Sequence, residues 1–355
     1  MLEFERKEEF PMELYKKAAK LGFTSMRFPE EYGGQGYGLL EDCLVVEELC
    51  RADPGVGAAI VSGTFASDII YHFGTEEQKE KYLVPVCRGE LISAGAFTEP
   101  AHGSDITRLD TIAVKSGGEF LINGTKTLIT NAPIANFFGV LCQTDLEVTP
   151  SYRGQSYIIV DRDVPGVDVT PLKGKMGIRS TLLGEISFSN VRVPEENLVG
   201  ELNKGFYYAM KFFDKSRIQI AAHAVGMAQG AFERAFNYAK KRTAFGSPII
   251  QFQAIQLKLA EMATKIEAAR LLTYKAAWLY DKGKVDPMTS SMAKAFAARA
   301  AVEVTDEAIQ IHGGYGYLED YHVERYHRCA KITDIYEGTT EIQKLNIARY
   351  LLKRM

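Results

Sequence analysis

A bare carboxylate set between a tyrosine and a glycine calls for an explanation, and the stretch DIYEGTTEIQ, residues 334–343, holds one. It places Glu337 between Tyr336 and Gly338, ahead of Thr339, Thr340 and Glu341. The threonines read as a helix start leading into Ile342, Leu345 and Ile347, because a Thr hydroxyl accepts an N–H left free in the first turn. That reading leaves Tyr336-Glu337-Gly338 unexplained. AFTEPAHGSD, 96–105, carries Thr98, Ser104 and Gly103, whose hydroxyls, free amides and missing Cβ let the main chain approach a flat polar ligand. A polar turn leaving a strand explains the same residues equally well. LITN, 128–131, ends a strand at Thr130 and says little by itself. KRTAFGSPIIQFQAIQ, 241–256, supplies Arg242, a Phe245-Gly246 break and Gln253 at the start of a helix, and QIHGGYG, 310–316, supplies paired glycines. Each is explained as a loop between helices, and together they form a candidate anion-binding corner. HGGYG follows a helix with no βαβ unit around it, so it is not a dinucleotide fingerprint.

The elements that must position these residues change texture twice. Residues 1–89 read as a helical domain: PMELYKKAAKLGF has Pro11 suited to a first turn and Leu14, Ala18 and Leu21 at helical spacing. LEDCLVVEELCRAD and EQKEKYLVPV continue it. Residues 90–197 alternate with period two in short runs rich in β-branched and aromatic side chains, which predicts an antiparallel β-barrel or sandwich. Asn123-Gly124 predicts a hairpin turn between EFLI and TKTLI, since both central positions of a type I′ turn take positive φ. Residues 198–355 return to helical spacing, with Ile255, Leu259, Met262, Ile266 and Ala269 forming the stripe of a helix in a four-helix bundle. The fold class expected is multidomain α+β.

Composition removes several functions. The 355 residues are 46% hydrophobic and 25% charged, with a net charge of -3 and no basic stripe interleaved with aromatics, which excludes a nucleic-acid binder. No apolar run suited to crossing a membrane is expected, and the acid-rich start MLEFERKEEF is unlike a leader. Cys43, Cys50, Cys87, Cys142 and Cys329 form no CxxC pair, and the histidines, including His322 and His327, lack ligand spacing. Reduced thiols, no metal site and a cytoplasmic setting are expected, or the mitochondrial matrix for a processed eukaryotic chain.

The order AFTEPAHGSD, LITN, FFDKSR, KRTAFGSPIIQFQ, QIHGGYGY, DIYEGTTEIQ resembles the acyl-CoA dehydrogenase family across nearly the whole chain. The resemblance implies FAD held between the β domain and the bundle of a homotetramer, a dimer of dimers. It implies Ala96, Phe97, Thr98 and Ser104 along the flavin edge, with Leu128, Ile129 and Thr130 beside it and Thr130 donating toward the flavin N5 region. Arg242, Phe245, Gln253, Gln310, Ile311, Gly313 and Gly314 would reach the dinucleotide of a neighbouring subunit, and Thr339 and Glu341 complete the cofactor set. Glu337 is then the base that removes the proton next to the thioester carbonyl while a hydride leaves the following carbon. Its backbone N–H with a ribityl hydroxyl would form the oxyanion hole. Ser104, Asp214, Arg217, Tyr336 and Gly338 are implied at the acyl-CoA, although Asp214 and Arg217 read equally as a surface i,i+3 ion pair. Some family members place the base at the position of Ser216, where serine cannot serve.

Three departures bear on this. Leu128 stands where many relatives carry an aromatic residue, relatives carry a further N-terminal helix before the segment matching FPMELYKK, and Gly57 stands where decarboxylating relatives use an arginine, which disfavours that subclass. Electrons are expected to pass to an electron-transferring flavoprotein, the alternatives being an oxygen-using acyl-CoA oxidase and a non-catalytic acyl-CoA or flavin-binding protein. Phe65, Tyr315 and Tyr317 point to short, branched or cyclic acyl groups, and Asp53 and Asp68 are candidates for a second acid or base, with capping or solvated roles favoured.

Overall fold

Caps and prolines set the helices of the N-terminal part. The computed structural model describes residues 1–65 and 67–354. Its first helices are α1 (Leu2–Lys7), α2 (Met12–Lys20), α3 (Leu39–Ala52), α4 (Pro54–Ser62), α5 (Ser67–Phe73), α6 (Glu76–Gln78) and α7 (Val84–Cys87). Asp53 separates α3 from α4, its carboxylate accepting from the N–H groups of Gly55 at 3.1 Å and Val56 at 3.0 Å, with Pro54 in the first turn. The Pro54–Phe73 stretch is long and apolar enough to cross a membrane, contrary to the expectation from sequence. Its apolar character serves the interior instead, since 65% of it is buried inside the protein.

The middle of the chain is one seven-stranded sheet, a β half-barrel built from β1 (Ser93–Ala96), β2 (Ile112–Ser116), β3 (Glu119–Thr130), β4 (Phe137–Gln143), β5 (Gln155–Asp161), β6 (Val167–Pro171) and β7 (Leu183–Pro194). Its order is β1-β4-β2-β3-β7-β6 with β5 on β4. The pairing is mixed, because β1 runs parallel to β4, Ser93 opposite Phe137. The hairpin expected at Asn123-Gly124 lies elsewhere. Gly117 and Gly118, at φ 62° and 85°, close β2 onto β3 and pair Ser116 with Glu119. Two residues without a Cβ adopt positive φ more readily than Asn-Gly, so the turn forms there. Asn123 stays inside β3, where the register against β7 shifts between Ile122 and Gly124.

The C-terminal part is helical: α8 (Gly205–Lys241), α9 (Gln253–Asp281), α10 (Pro287–His312), α11 (Val323–Ala330) and α12 (Thr340–Arg354), with a small ribbon of β8 (Thr243–Ala244) and β9 (Ser247–Pro248) after α8. Small residues bring the long helices together, Ala221, Ala224, Ala228 and Ala231 of α8 sharing one core with Ala293, Ala297 and Ala301 of α10. Leu259, Met262, Ile266 and Ala269 of α9 are buried in that core, as their spacing predicts. At Gly226 a Cβ would lie 2.3 Å from the Glu47 carbonyl oxygen, so only glycine lets α8 pass so close to α3.

Candidate active site

Glu337 lies in the loop between α11 and α12, in a left-handed conformation at φ 55°, followed by Gly338 at φ 86°. A non-glycine residue adopts that conformation when its surroundings hold it there. The Ser216 hydroxyl of α8 donates to the Glu337 carboxylate. Burial pushes the Glu337 carboxyl above the usual range, and the Ser216 hydrogen bond with the charges of Arg217, Lys294 and Lys215 recovers only part of the shift. Behind the loop, the Lys294 ammonium donates to the Gly338 carbonyl at 2.7 Å. Gln343 Nε2 donates to the carbonyls of Glu337 at 3.0 Å and Gly338 at 2.9 Å. Tyr336 shares a 3.2 Å hydrogen bond with His223 Nδ1, and burial pushes that imidazole down to about 4. Thr339 caps α12 by accepting from the Ile342 N–H at 3.3 Å, while Glu341 stands exposed in the first turn.

Asp214 and Arg217 form the i,i+3 ion pair at 3.0 Å, but Arg217 is 8% exposed, so this is no surface pair. Its Nε is buried without a hydrogen-bond partner among the described residues. Phe97, just past β1, stacks on Phe212 with ring centroids 5.8 Å apart and meets Phe213 at 5.2 Å. These contacts set AFTEP against FFDKSR. Thr98 O accepts from the Thr127 N–H at 2.9 Å, joining the same edge to the strand that carries Leu128, Ile129 and Thr130. A buried ion pair anchors the junction: Lys126 Nζ donates to Glu99 at 2.8 Å and to the Phe97 carbonyl at 3.1 Å. Ala96 and Ile129 are buried, Thr130 is half-buried opposite Leu183, and Ser104 is exposed. Leu128 is 59% exposed at φ 56°, a second left-handed residue on this edge.

The other expected residues gather at the far end of α8. A cavity of about 410 Å³ is lined by Arg242, Gln310, Ile311, Gly313, Gly314 and Tyr315, among others. The Arg242 guanidinium lies 5.7 Å from the centre of the Tyr315 ring. A Cβ built on Gly313 or Gly314 would meet nothing within 4 Å, so their main chain is open to a ligand. Phe245, 98% exposed at φ 51°, and Gln253 at the start of α9 stand outside the lining. From Ser216 to Arg242 the helix rises roughly 39 Å at 1.5 Å per residue. Glu337 and this corner are therefore far apart within one copy.

Comparison with known proteins matches the acyl-CoA dehydrogenase N-terminal domain to residues 1–90, the middle domain to 94–191 and the C-terminal domain to 203–352. The chain belongs to the acyl-CoA dehydrogenase family. It is an oxidoreductase acting on acyl-CoA thioesters. It is 43% identical over 335 residues to the cyclohexane-1-carbonyl-CoA dehydrogenase of Geobacter metallireducens, covering 94% of this chain and 87% of that one. It is 42% identical over 354 residues to the caffeyl-CoA reductase-Etf complex subunit CarC of Acetobacterium woodii, covering 99% and 93%. The butyryl-CoA dehydrogenase structure from Megasphaera elsdenii superposes with a TM-score of 0.95 at 41% identity, covering 99% and 92%.

In this acyl-CoA dehydrogenase the two other acids considered for proton transfer are engaged. Asp53 caps α4 and pairs with Arg325 at 2.6 Å. Asp68 accepts from Arg27 at 2.7 and 2.6 Å and from Lys215 at 2.6 Å. Burial pushes the Asp68 carboxyl up, and the two cations more than offset it, holding it well below the usual range. Tyr315 lines the Arg242 cavity and Tyr317 is 85% exposed, so of the three bulky residues only Phe65 stands beside Phe212, ring centroids 5.1 Å apart. Sequence reasoning missed Lys294, Gln343, Glu99 and Lys126. The one available signal was Lys294, which shares the alanine-rich run MAKAFAARAA with only one other charge, Arg299.

Proposed function

We propose that this enzyme oxidises a short, branched or cyclic acyl-CoA to its 2-enoyl thioester, with Glu337 removing the α-proton. The observation that carries the reading is the Glu337 carboxylate: shielded, shifted toward higher basicity, hydrogen-bonded by Ser216 of α8, and carried on a loop held in a left-handed turn. A thioester α-proton is too weakly acidic for a solvated carboxylate, so raised basicity is what the step requires. The Glu337 N–H is the proposed donor to the thioester oxygen, where charge develops as the proton leaves. Arg217 and Asp214 order the approach to the base.

FAD is the proposed cofactor, and the residues fit it. The open main chain at Gly313 and Gly314 with the Arg242 cation suits a diphosphate, and the edge formed by Ala96, Phe97, Thr98 and Thr130 suits a flat ring. When bound, FAD supplies the acceptor for the hydride that leaves the β-carbon. Because the two sets of residues lie at opposite ends of α8, a second copy supplies the Arg242 corner, consistent with a homotetramer. Exposed Phe245, Tyr317, Leu345 and Leu352 support such an assembly, at 98, 85, 61 and 72% exposure. Electron transfer to an electron-transferring flavoprotein is proposed from the relative that functions in an Etf complex, and the cyclic and short acyl preference agrees with the names of two relatives.

Glu337→Gln tests the assignment. The variant should retain flavin and bind acyl-CoA, yet fail to bleach the flavin on rapid mixing. Bleaching at the wild-type rate removes Glu337 from the role.

A further inference from the structure

We propose that Lys294 and Gln343 form a clamp that positions the base, gripping the loop by the carbonyl oxygens of Glu337 and Gly338. The inference rests on the reading of Glu337 as the base. Lys294 is 0% exposed on α10, the helix that gives Ala293 and Ala297 to the bundle core, where a leucine or methionine would pack without desolvating a charge. Among the described residues it makes no ion pair, and its 2.7 Å hydrogen bond goes to the Gly338 carbonyl. Burying a lysine for one neutral carbonyl costs more than it returns in stability. The location supplies the reason, because the gripped carbonyl immediately follows Glu337.

Gln343 grips the same turn from α12, its Nε2 reaching both carbonyls while its Oε1 is buried without a partner among the described residues. The side chain is thus used through its donor end. Each peptide is planar and trans, so drawing the Glu337 and Gly338 carbonyls toward α10 and α12 turns the Gly338 and Thr339 N–H groups the other way. This holds Glu337 left-handed and its side chain at Ser216. Gly338 is part of the device: its φ is 86°, and a Cβ there would stand 2.7 Å from Gln343 Nε2. The charges facing Lys294 are Glu337 and Asp334 on the loop, Glu341 on α12 and Arg217 on α8. Asp334 is already paired with Lys331 at 2.9 Å and Glu341 stands exposed to solvent, which leaves Glu337 as the carboxylate that gains most from the ammonium. Lys294 touches no reacting atom and acts as a positioning residue.

The test compares Lys294→Met, Lys294→Arg and Gln343→Met in the flavin-loaded protein. The substrate is whichever of butyryl-CoA and cyclohexanecarbonyl-CoA bleaches the wild type faster. Two readouts are needed: deuterium uptake from D2O at the thioester α-carbon, by mass spectrometry, and the pH dependence of flavin bleaching. Lys294→Met should slow both roughly 10–100-fold, the range expected when a catalytic group is misplaced. Acyl-CoA affinity should stay near wild type, and the midpoint of the pH profile should rise because a cation near the carboxylate is gone. Gln343→Met, which removes no charge, should slow both without moving the midpoint. Lys294→Arg should bring the midpoint back. Wild-type α-exchange in Lys294→Met overturns the clamp, as does wild-type exchange in Gln343→Met where Lys294→Met fails to fold. Retained exchange in Glu337→Gln would instead remove the base assignment, so the two failures are distinguishable.

Discussion

Replacing Ser216 by alanine isolates how the protein tunes its base. The Ser216 hydroxyl donates to the ionised form of Glu337, so its loss disfavours the carboxylate and raises the pKa. A hydrogen bond to a charged group is worth about 1.5–3 kcal/mol, and water entering beside a half-buried carboxylate recovers part of that. The low end, about 1.5 kcal/mol, corresponds to about one pKa unit. Only the ionised base accepts the proton, so the midpoint of the bleaching profile should move up by about one unit. Below the midpoint the variant should be about tenfold slower, and at high pH its plateau should equal or exceed that of wild type, because a carboxylate of higher pKa is the stronger base. Alanine favours the helix, so α8 bears no folding cost. The assay is stopped-flow flavin bleaching with saturating acyl-CoA across pH. An unmoved midpoint, or a loss of equal size at every pH, would refute the reasoning.

Three further outcomes are expected. Arg242→Glu should lose flavin, and co-expression with Glu337→Gln should restore activity in mixed assemblies, where one interface carries both intact halves; absence of restoration in isolated mixed oligomers argues against a site shared between copies. Lys126→Met leaves Glu99 buried without its cation and should cost about 3–5 kcal/mol, read as a fall in thermal midpoint. Asp68 has a folded pKa below its unfolded value, so its stabilisation is complete above about pH 4 and is lost as pH falls toward the folded value; Arg27→Leu should start acid unfolding at higher pH, followed by circular dichroism.

The sequence showed the helices and the site motifs where the signal was local. The α9 stripe from Leu259 to Ala269 could be read because a helix buries one face at fixed spacing, and Glu337 stood out because a helix start explains the threonines after it and leaves Tyr336-Glu337-Gly338 over. Asn123-Gly124 misled because turn propensity is compared over a few residues, and Gly117-Gly118 wins when the whole strand must pair with β7. Lys294 was hidden for another reason: its partner lies 44 residues away, and nothing in an alanine-rich helix says which way one side chain points. Tyr315 and Tyr317 carried bulk that could be read and a direction that could not. The burial of Asp214 and Arg217 likewise came from tertiary packing.

The span of α8 has a consequence for the life of the protein in solution. If each prosthetic group is gripped by two molecules at once, loading and assembly are a single equilibrium. Dilution should then bleed colour from the protein as neighbours separate, and added FAD should draw separated molecules back together. Cofactor supply would in that case govern how much quaternary enzyme exists, with no dedicated regulator required.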